Sequence, residues 1–279
     1  RSMSSTLWGA GISAILNPVL ILWADMDLTG AAIATIASRI VIAGVATWQV
    51  HRFYKGFVRT TWGDMIADVR PISRIAVPAI LAQIATPLGY AFVTRAMSDF
   101  GEAAVAGMAI AGRLTPVAFG VIFALAGSIG PIIGQNHGAK RPERVREAFF
   151  ASLGFAGIVV GLVSLILFVL RAPIADAFHA EGLTRELVYL FCGPLAALWY
   201  FIAIIFVANA AFNNLGRPFT STWTNWARST IGTIIPVWIG ARMAGAIGVM
   251  WGQAFTGVVF GLLSLWLALR LVKVPSRAP

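Results

Sequence analysis

Three arginines, Arg39, Arg113 and Arg228, lie well inside long apolar runs. A charged side chain at the centre of a membrane helix costs about 2.5 to 3.5 kcal/mol on an insertion scale, so none of them belongs against lipid. Each arginine either caps carbonyls freed by a proline bend or snorkels to an interface, or it lines a hydrated cavity or pairs with carboxylates of helices outside this chain. The spans themselves offer no counter-charge, because all eleven acidic residues sit in loops or at span ends. A buried carboxylate, the usual carrier of proton or sodium coupling, is therefore missing from them. Asn17, Asn209, Asn213, Asn214, Gln83 and Gln253 lie in or at the ends of spans and read mostly as interhelical hydrogen bonds, each worth about 0.6 to 2 kcal/mol.

Enzyme chemistry finds little support. The histidines His51, His137 and His179 are scattered through loops, Cys192 is alone in an apolar span, and no Cys/His cluster, nucleophile elbow or phosphate loop occurs. No enzyme activity, metal or cofactor is expected, and a single cysteine excludes an intrachain disulfide.

The elements that must position these groups are membrane helices. The 279 residues are 58% hydrophobic and 11% charged, with a mean hydropathy of +0.82. Soluble domains carry roughly 25% charged residues. Continuous apolar runs of about 20 residues are helical spans, since barrel strands would show about ten residues of alternation. Eight spans are expected, over about 5–23, 29–50, 75–97, 103–134, 148–170, 187–209, 219–241 and 245–269.

Charge sets the orientation. Fourteen Lys and Arg residues fall at Arg1, in the loops after spans two and four, at Arg217 and in the tail, whereas Arg95, Arg171, Arg185 and Arg242 are alone on the other side. The positive-inside rule places both ends of the chain in the cytoplasm. It also accounts for the net charge of +10 without nucleic acid. Pro18, Pro78, Pro87, Pro116, Pro131, Pro194 and Pro236 each free a carbonyl and bend a span. Gly130/Gly134, Gly157/Gly161, Gly248/Gly252 and Gly257/Gly261 have the spacing that lets helix backbones approach. Many bent, closely packed helices are what a protein rocking between two states requires.

The chain also repeats. Pro18 matches Pro236, Trp48 matches Trp266 and Arg52 matches Arg270 at a spacing of 218, while Arg1, Ser5 and Thr6 match Arg217, Ser221 and Thr222 at 216. Both copies enter and leave on one side, which makes a parallel repeat. Spans three to eight then form one six-helix unit, and spans one and two end an earlier copy whose start, about 145 residues, is expected ahead of Arg1.

Three stretches carry a family resemblance: PIIGQNHGAKRPERVREAF from Pro131, NNLGRPFTSTWTNWAR from Asn213, and LNPVLI with GAAIAT between Leu16 and Thr35. They resemble the multidrug and toxic compound extrusion (MATE) family, and the GRL at Gly112–Leu114 resembles its DinF-like branch. The resemblance implies an all-α, two-lobe, twelve-helix antiporter in the bacterial inner membrane. Such a protein exports organic cations or other amphipathic compounds against a proton or sodium gradient and works as a monomer. Residues 1–52 are then the last two helices of the N-lobe, 53–74 an interlobe linker, 75–272 a six-helix C-lobe and 273–279 a tail.

Carried over residue by residue, the Asn and Asp four apart in the family's fifth helix fall on Ser13 and Asn17, and its sixth-helix threonine on Thr35. The NorM-like glutamate, eight residues after a proline, falls on Thr86. The expected cation-coupling neighbourhood is thus Ser13, Asn17 and Thr35, and the cavity or gate candidates are Arg39, Gln83, Thr86, Arg113 and Arg228. A lipid-linked oligosaccharide flippase of the same superfamily is the second reading, favoured by an arginine-lined cavity. A non-transporting membrane scaffold is the third.

Overall fold

A computed structural model describes residues 2–24, 26–54 and 61–272. The tail 273–279 and Arg1 lie outside the described residues, as do the side chains of Pro78 and Gln83. Every regular element among the described residues is helical. Five helices there are long and apolar enough to cross a membrane, or six if one bent pair counts as a single span. That measure takes Pro218–Leu271 as one span although α10 doubles back within it, so it does not test the expected count of eight. The fourth expected span, 103–134, is two helices bent by 51°.

The chain divides into two compact units, residues 1–69 and 70–279. In the first, α1 (Ser2–Pro18) runs into a π turn, Val19–Trp23, and α2 (Asp27–Gln49) returns antiparallel and ends in a second π turn, Val50–Tyr54. Gln49 Nε2 donates to Ser4 Oγ at one end of this hairpin, at 2.6 Å. Gly30 closes the other, where a Cβ would stand 2.9 Å from the Leu20 carbonyl oxygen. Helix α3 (Trp62–Ser98) begins with Thr61 and Asp64 capping one another: the Asp64 amide donates to Thr61 Oγ1, and the Thr61 hydroxyl and amide donate to the carboxylate.

The second unit is built around α8 (Ala196–Asn214), which packs on α5 (Gly120–Gly138), α6 (Pro142–Ala177) and α10 (Ile231–Leu271). Helix α4 (Glu102–Ala118) meets α5 at a break below Pro116. Phe119 at that break is fully buried and stacks on Trp199 of α8 at 4.4 Å between ring centroids. The bend is thus anchored in the core by an aromatic pair. Helix α7 (Gly182–Leu190) leads into α8 through a π turn holding Gly193, whose φ of −96° and ψ of −114° leave the helix just before Pro194.

Glycine and proline punctuate the way to α9 (Pro218–Ser229). Gly216 has φ of 77°, the Arg217 amide donates to the Phe212 carbonyl at 2.8 Å, and Pro218 takes the first helical position. This is a left-handed helix stop followed by a proline start.

Helix α10 turns back on itself at Ala244 and Gly245, the latter with φ of 58°. Gly248 lies against Gly240, Gly252 against Pro236 and Thr256 against Gly232, so the arms are antiparallel with their backbones touching. Pro236 cannot donate to the Gly232 carbonyl, and the buried Thr256 hydroxyl does so in its place.

Arginine–aromatic pairs mark the ends of these spans. Arg242 lies over Trp238 and Arg270 over Trp266, at 3.7 and 3.6 Å from the ring centres, and α6 carries Arg146 over Phe150 and Arg171 over Phe168. Guanidinium groups near span ends, stacked on aromatic rings, suit a multi-pass membrane protein.

Candidate functional site

In the first unit, Ser13 and Asn17 are one turn apart on α1. Asn17 Nδ2 donates to the Ser13 carbonyl at 2.9 Å and to Ser13 Oγ at 3.0 Å. Thr35 faces outward on α2, and its hydroxyl donates back to the Ala31 carbonyl at 2.8 Å. Arg39, one turn further on, is exposed. Ser13 and Asn17 thus lie together, and their hydrogen bonds close within their own helix.

That corrects the reading of span amides as mainly interhelical. Asn17 and Asn214 bond the carbonyl four residues back, Asn214 to Ala210 at 2.8 Å, and Asn136 does the same with Ile132. A short amide on a helix reaches the preceding turn without waiting for a neighbour. Asn209 does bridge helices, accepting from Ser221 Oγ of α9 at 3.0 Å. Asn213 and Gln253 are exposed.

The second unit brings together Thr86 and Arg228. Helices α3 and α9 meet along a seam: Trp226 Nε1 donates to the Leu81 carbonyl at 2.9 Å, and Gly89 abuts Ser229, where a Cβ would stand 3.0 Å from the carbonyl oxygen. Between these contacts Arg228 Nη2 donates to Thr86 Oγ1 at 3.3 Å. Arg228 Nε is buried with no hydrogen-bond partner. The chain leaves α9 at Thr230, with φ of −102° and ψ of −100°, and Thr233 Oγ1 returns to the Arg228 carbonyl at 2.7 Å. The cation thus sits beside a helix break held by threonine side chains.

Arg113 is exposed on α4, next to Gly112, where a Cβ would stand 2.9 Å from the Tyr90 hydroxyl. Tyr90 is one turn beyond Thr86 on α3, so the two arginine-bearing helices approach the same stretch of α3. Gln83 lies on α3 with its side chain outside the described residues. No group of three or more His, Cys, Asp or Glu residues suited to a metal occurs among the described residues. Arg185 pairs with Asp176 at 2.8 Å, and that ion pair is exposed.

Sequence reasoning missed Thr256 and Trp226. Thr256 was concealed by ordinary apolar context, although a threonine one helical turn beyond Gly252, opposite Pro236, is a signal that a hairpin register would have exposed. An apolar hollow of about 190 Å³ lies beside it, lined by Ile231, Ile235, Pro236, Phe255, Val259 and Phe260.

Comparison with known proteins adds the family. The MatE family model matches residues 78–239. A Pseudomonas savastanoi protein described as the uncharacterized 21 kDa protein in the iaaL 5' region is 34% identical over 218 residues, covering 78% of this chain and 72% of its own. The FAD transporter of Shewanella oneidensis is 26% identical over 96% of this chain, which spans 60% of that protein's length. The crystal structure of a mutant of the Vibrio cholerae MATE transporter VcmN superposes with a TM-score of 0.83 and 26% identity, over 96% of this chain and 63% of that one. Membrane helices, a bent-helix core and these matches agree: the chain belongs to the MatE family of MATE transporters.

Proposed function

We propose that the chain works in a secondary active exporter of organic cations or other amphipathic drugs and metabolites, by alternating access, with proton influx as the driving gradient ahead of sodium. The family match over residues 78–239 carries this reading. It is supported by helix breaks at Phe119, Gly193, Thr230 and Ala244–Gly245, which give the second unit places where packed helices can change angle. In this reading residues 1–52 end an N-lobe, 53–74 link the lobes, 75–272 form the C-lobe, and both ends face the cytoplasm of a bacterial cell. Ser13, Asn17 and Thr35 are hydrogen-bonding neighbours of the coupling group. The Gly112–Leu114 triad supports a DinF-like branch.

Everted inner-membrane vesicles from cells expressing the protein test it. Dye accumulation should rise over control vesicles and collapse when the pH gradient is dissipated, and equal accumulation with and without the protein would defeat the proposal. A flippase for lipid-linked oligosaccharides is the second reading, favoured by the span arginines Arg39, Arg113 and Arg228, since such lipids carry phosphate. Scrambling of a labelled polyprenyl phosphate in the absence of any gradient would favour it.

A further inference from the structure

The α3–α9 seam holds a cation outside the proposed coupling neighbourhood of Ser13, Asn17 and Thr35. Arg228 stands ten residues beyond Pro218, the start of α9. At 1.5 Å per residue that is about 15 Å into the span, near the middle of a core roughly 30 Å thick, where a lipid headgroup does not reach. A guanidinium there carries five N–H donors and a full charge. One donor is given to Thr86 over a long 3.3 Å, Nε is enclosed without a partner, and no carboxylate among the described residues pairs with it. Contacts on either side, Trp226 to Leu81 and Ser229 to Gly89, hold the seam in register, so the cation is fixed rather than free to snorkel.

Thr86 is exposed while Arg228 is partly buried, so the pair opens on the Thr86 side. Its hydroxyl accepts from Arg228 and retains a proton to donate, which makes it a bridge between the guanidinium and an oxyanion. Arg113, exposed, adds a second charge on the helix that meets α3 one turn away at Tyr90. The charges that lie well inside the spans of this chain are arginines.

We propose that Arg228 and Thr86 form a binding site for the phosphate or carboxylate of an anionic amphiphile, so that the exported class is oxyanion-bearing rather than cationic. This rests on the export reading and specifies its substrate. The test uses three probes of similar planar shape: flavin mononucleotide, its phosphate-free parent riboflavin, and the cation ethidium. Binding is followed by fluorescence with the purified protein in phosphatidylcholine nanodiscs. Flavin mononucleotide should bind about tenfold or more tightly than riboflavin, the equivalent of about 1.4 kcal/mol.

Arg228→Gln should bring it to the riboflavin level without altering riboflavin itself. Arg228→Lys should keep part of the preference, and Thr86→Val, which changes no charge, should weaken flavin mononucleotide alone. Equal binding of the two flavins by the unaltered protein, or a preference that survives both Arg228→Gln and Thr86→Val, overturns the proposal. Vesicle uptake of the same probes separates the two levels. Movement of ethidium without any binding of flavin mononucleotide removes the site and leaves export standing. Arg228-dependent binding with no probe moved removes the export reading and leaves the site.

Discussion

The first hairpin, α1 with α2, and the last, the two arms of α10 on either side of Ala244–Gly245, follow one plan and differ in how their polar groups bond. Gly30 and Gly248, at a spacing of 218, each press on a carbonyl of the opposing helix, at Leu20 and Gly240. In the last hairpin Gly240, Gly248 and Gly252 bring two backbones into direct contact, and Thr256 crosses to the carbonyl that Pro236 frees. In the first, Gly9 meets the Ile42 side chain ahead of the Ser38 carbonyl oxygen, which is 3.3 Å from the Cβ position, and Asn17 and Thr35 bond within their own helices. Cross-helix polar bonds lock the last hairpin's shape. The first hairpin has a cross-helix bond at its open end, Gln49 to Ser4, but the bonds of Asn17 and Thr35 are local, which leaves these two groups available to exchange partners.

The largest expected consequence is at the backbone contact. Gly248→Ala puts a Cβ into the Gly240 carbonyl and should lower stability by about 3 kcal/mol, against about 1 kcal/mol for Gly30→Ala, whose clash is milder. Thermal unfolding of the detergent-solubilised protein reads both, and equal losses would break the distinction between the hairpins. Next, Thr256→Val strands the Gly232 carbonyl and should lose about 1 to 3 kcal/mol, whereas Ser38→Ala, which removes a bond to Thr35 of its own helix, should lose less than about 0.5 kcal/mol.

Asn17→Ala should also cost less than about 0.5 kcal/mol in stability because its partners are local. Gradient-driven efflux should nevertheless fall about tenfold, a barrier change of about 1.4 kcal/mol, and unaltered efflux would remove Asn17 from the coupling neighbourhood.

The smallest effect lies beyond the first hairpin, at the start of α3. The Thr61 hydroxyl and amide, donating to Asp64, hold its carboxyl below the usual carboxylate range. Because the folded value is the lower one, the cap is present above the ordinary carboxylate range and is lost as pH falls through the lowered value. Protection of the first-turn amides of α3 against exchange, taken relative to the intrinsic rate at each pH, should therefore fall on acidification, and Asp64→Asn should abolish the dependence.

Glycine spacing shows how far sequence reading reaches. Each pair was legible as a place for close packing, but the four differ in what fills them. Gly130 and Gly134 receive the Asn214 side chain, Gly257 and Gly261 receive Ile202 and Phe201, and Gly157 touches the Tyr200 ring while Gly161 faces open space. Helical period identifies a face, and the neighbour on that face is chosen by elements far along the chain. The same limit explains Thr86. It was found by counting eight residues from Pro78 along a family pattern, while its partner Arg228 is 142 residues away.

Apolar content, the placement of every acid outside the spans and the loop arginines were enough to determine a polytopic helical membrane protein, because the bilayer demands long apolar helices regardless of their partners. The motif stretches were enough to determine the family. Tertiary structure alone decided which freed carbonyl finds a hydroxyl, where a helix doubles back, and which buried arginine is left with an unpaired donor. Those outcomes depend on distances between segments that share no local pattern, and hydrogen bonds are made or lost over a few tenths of an ångström.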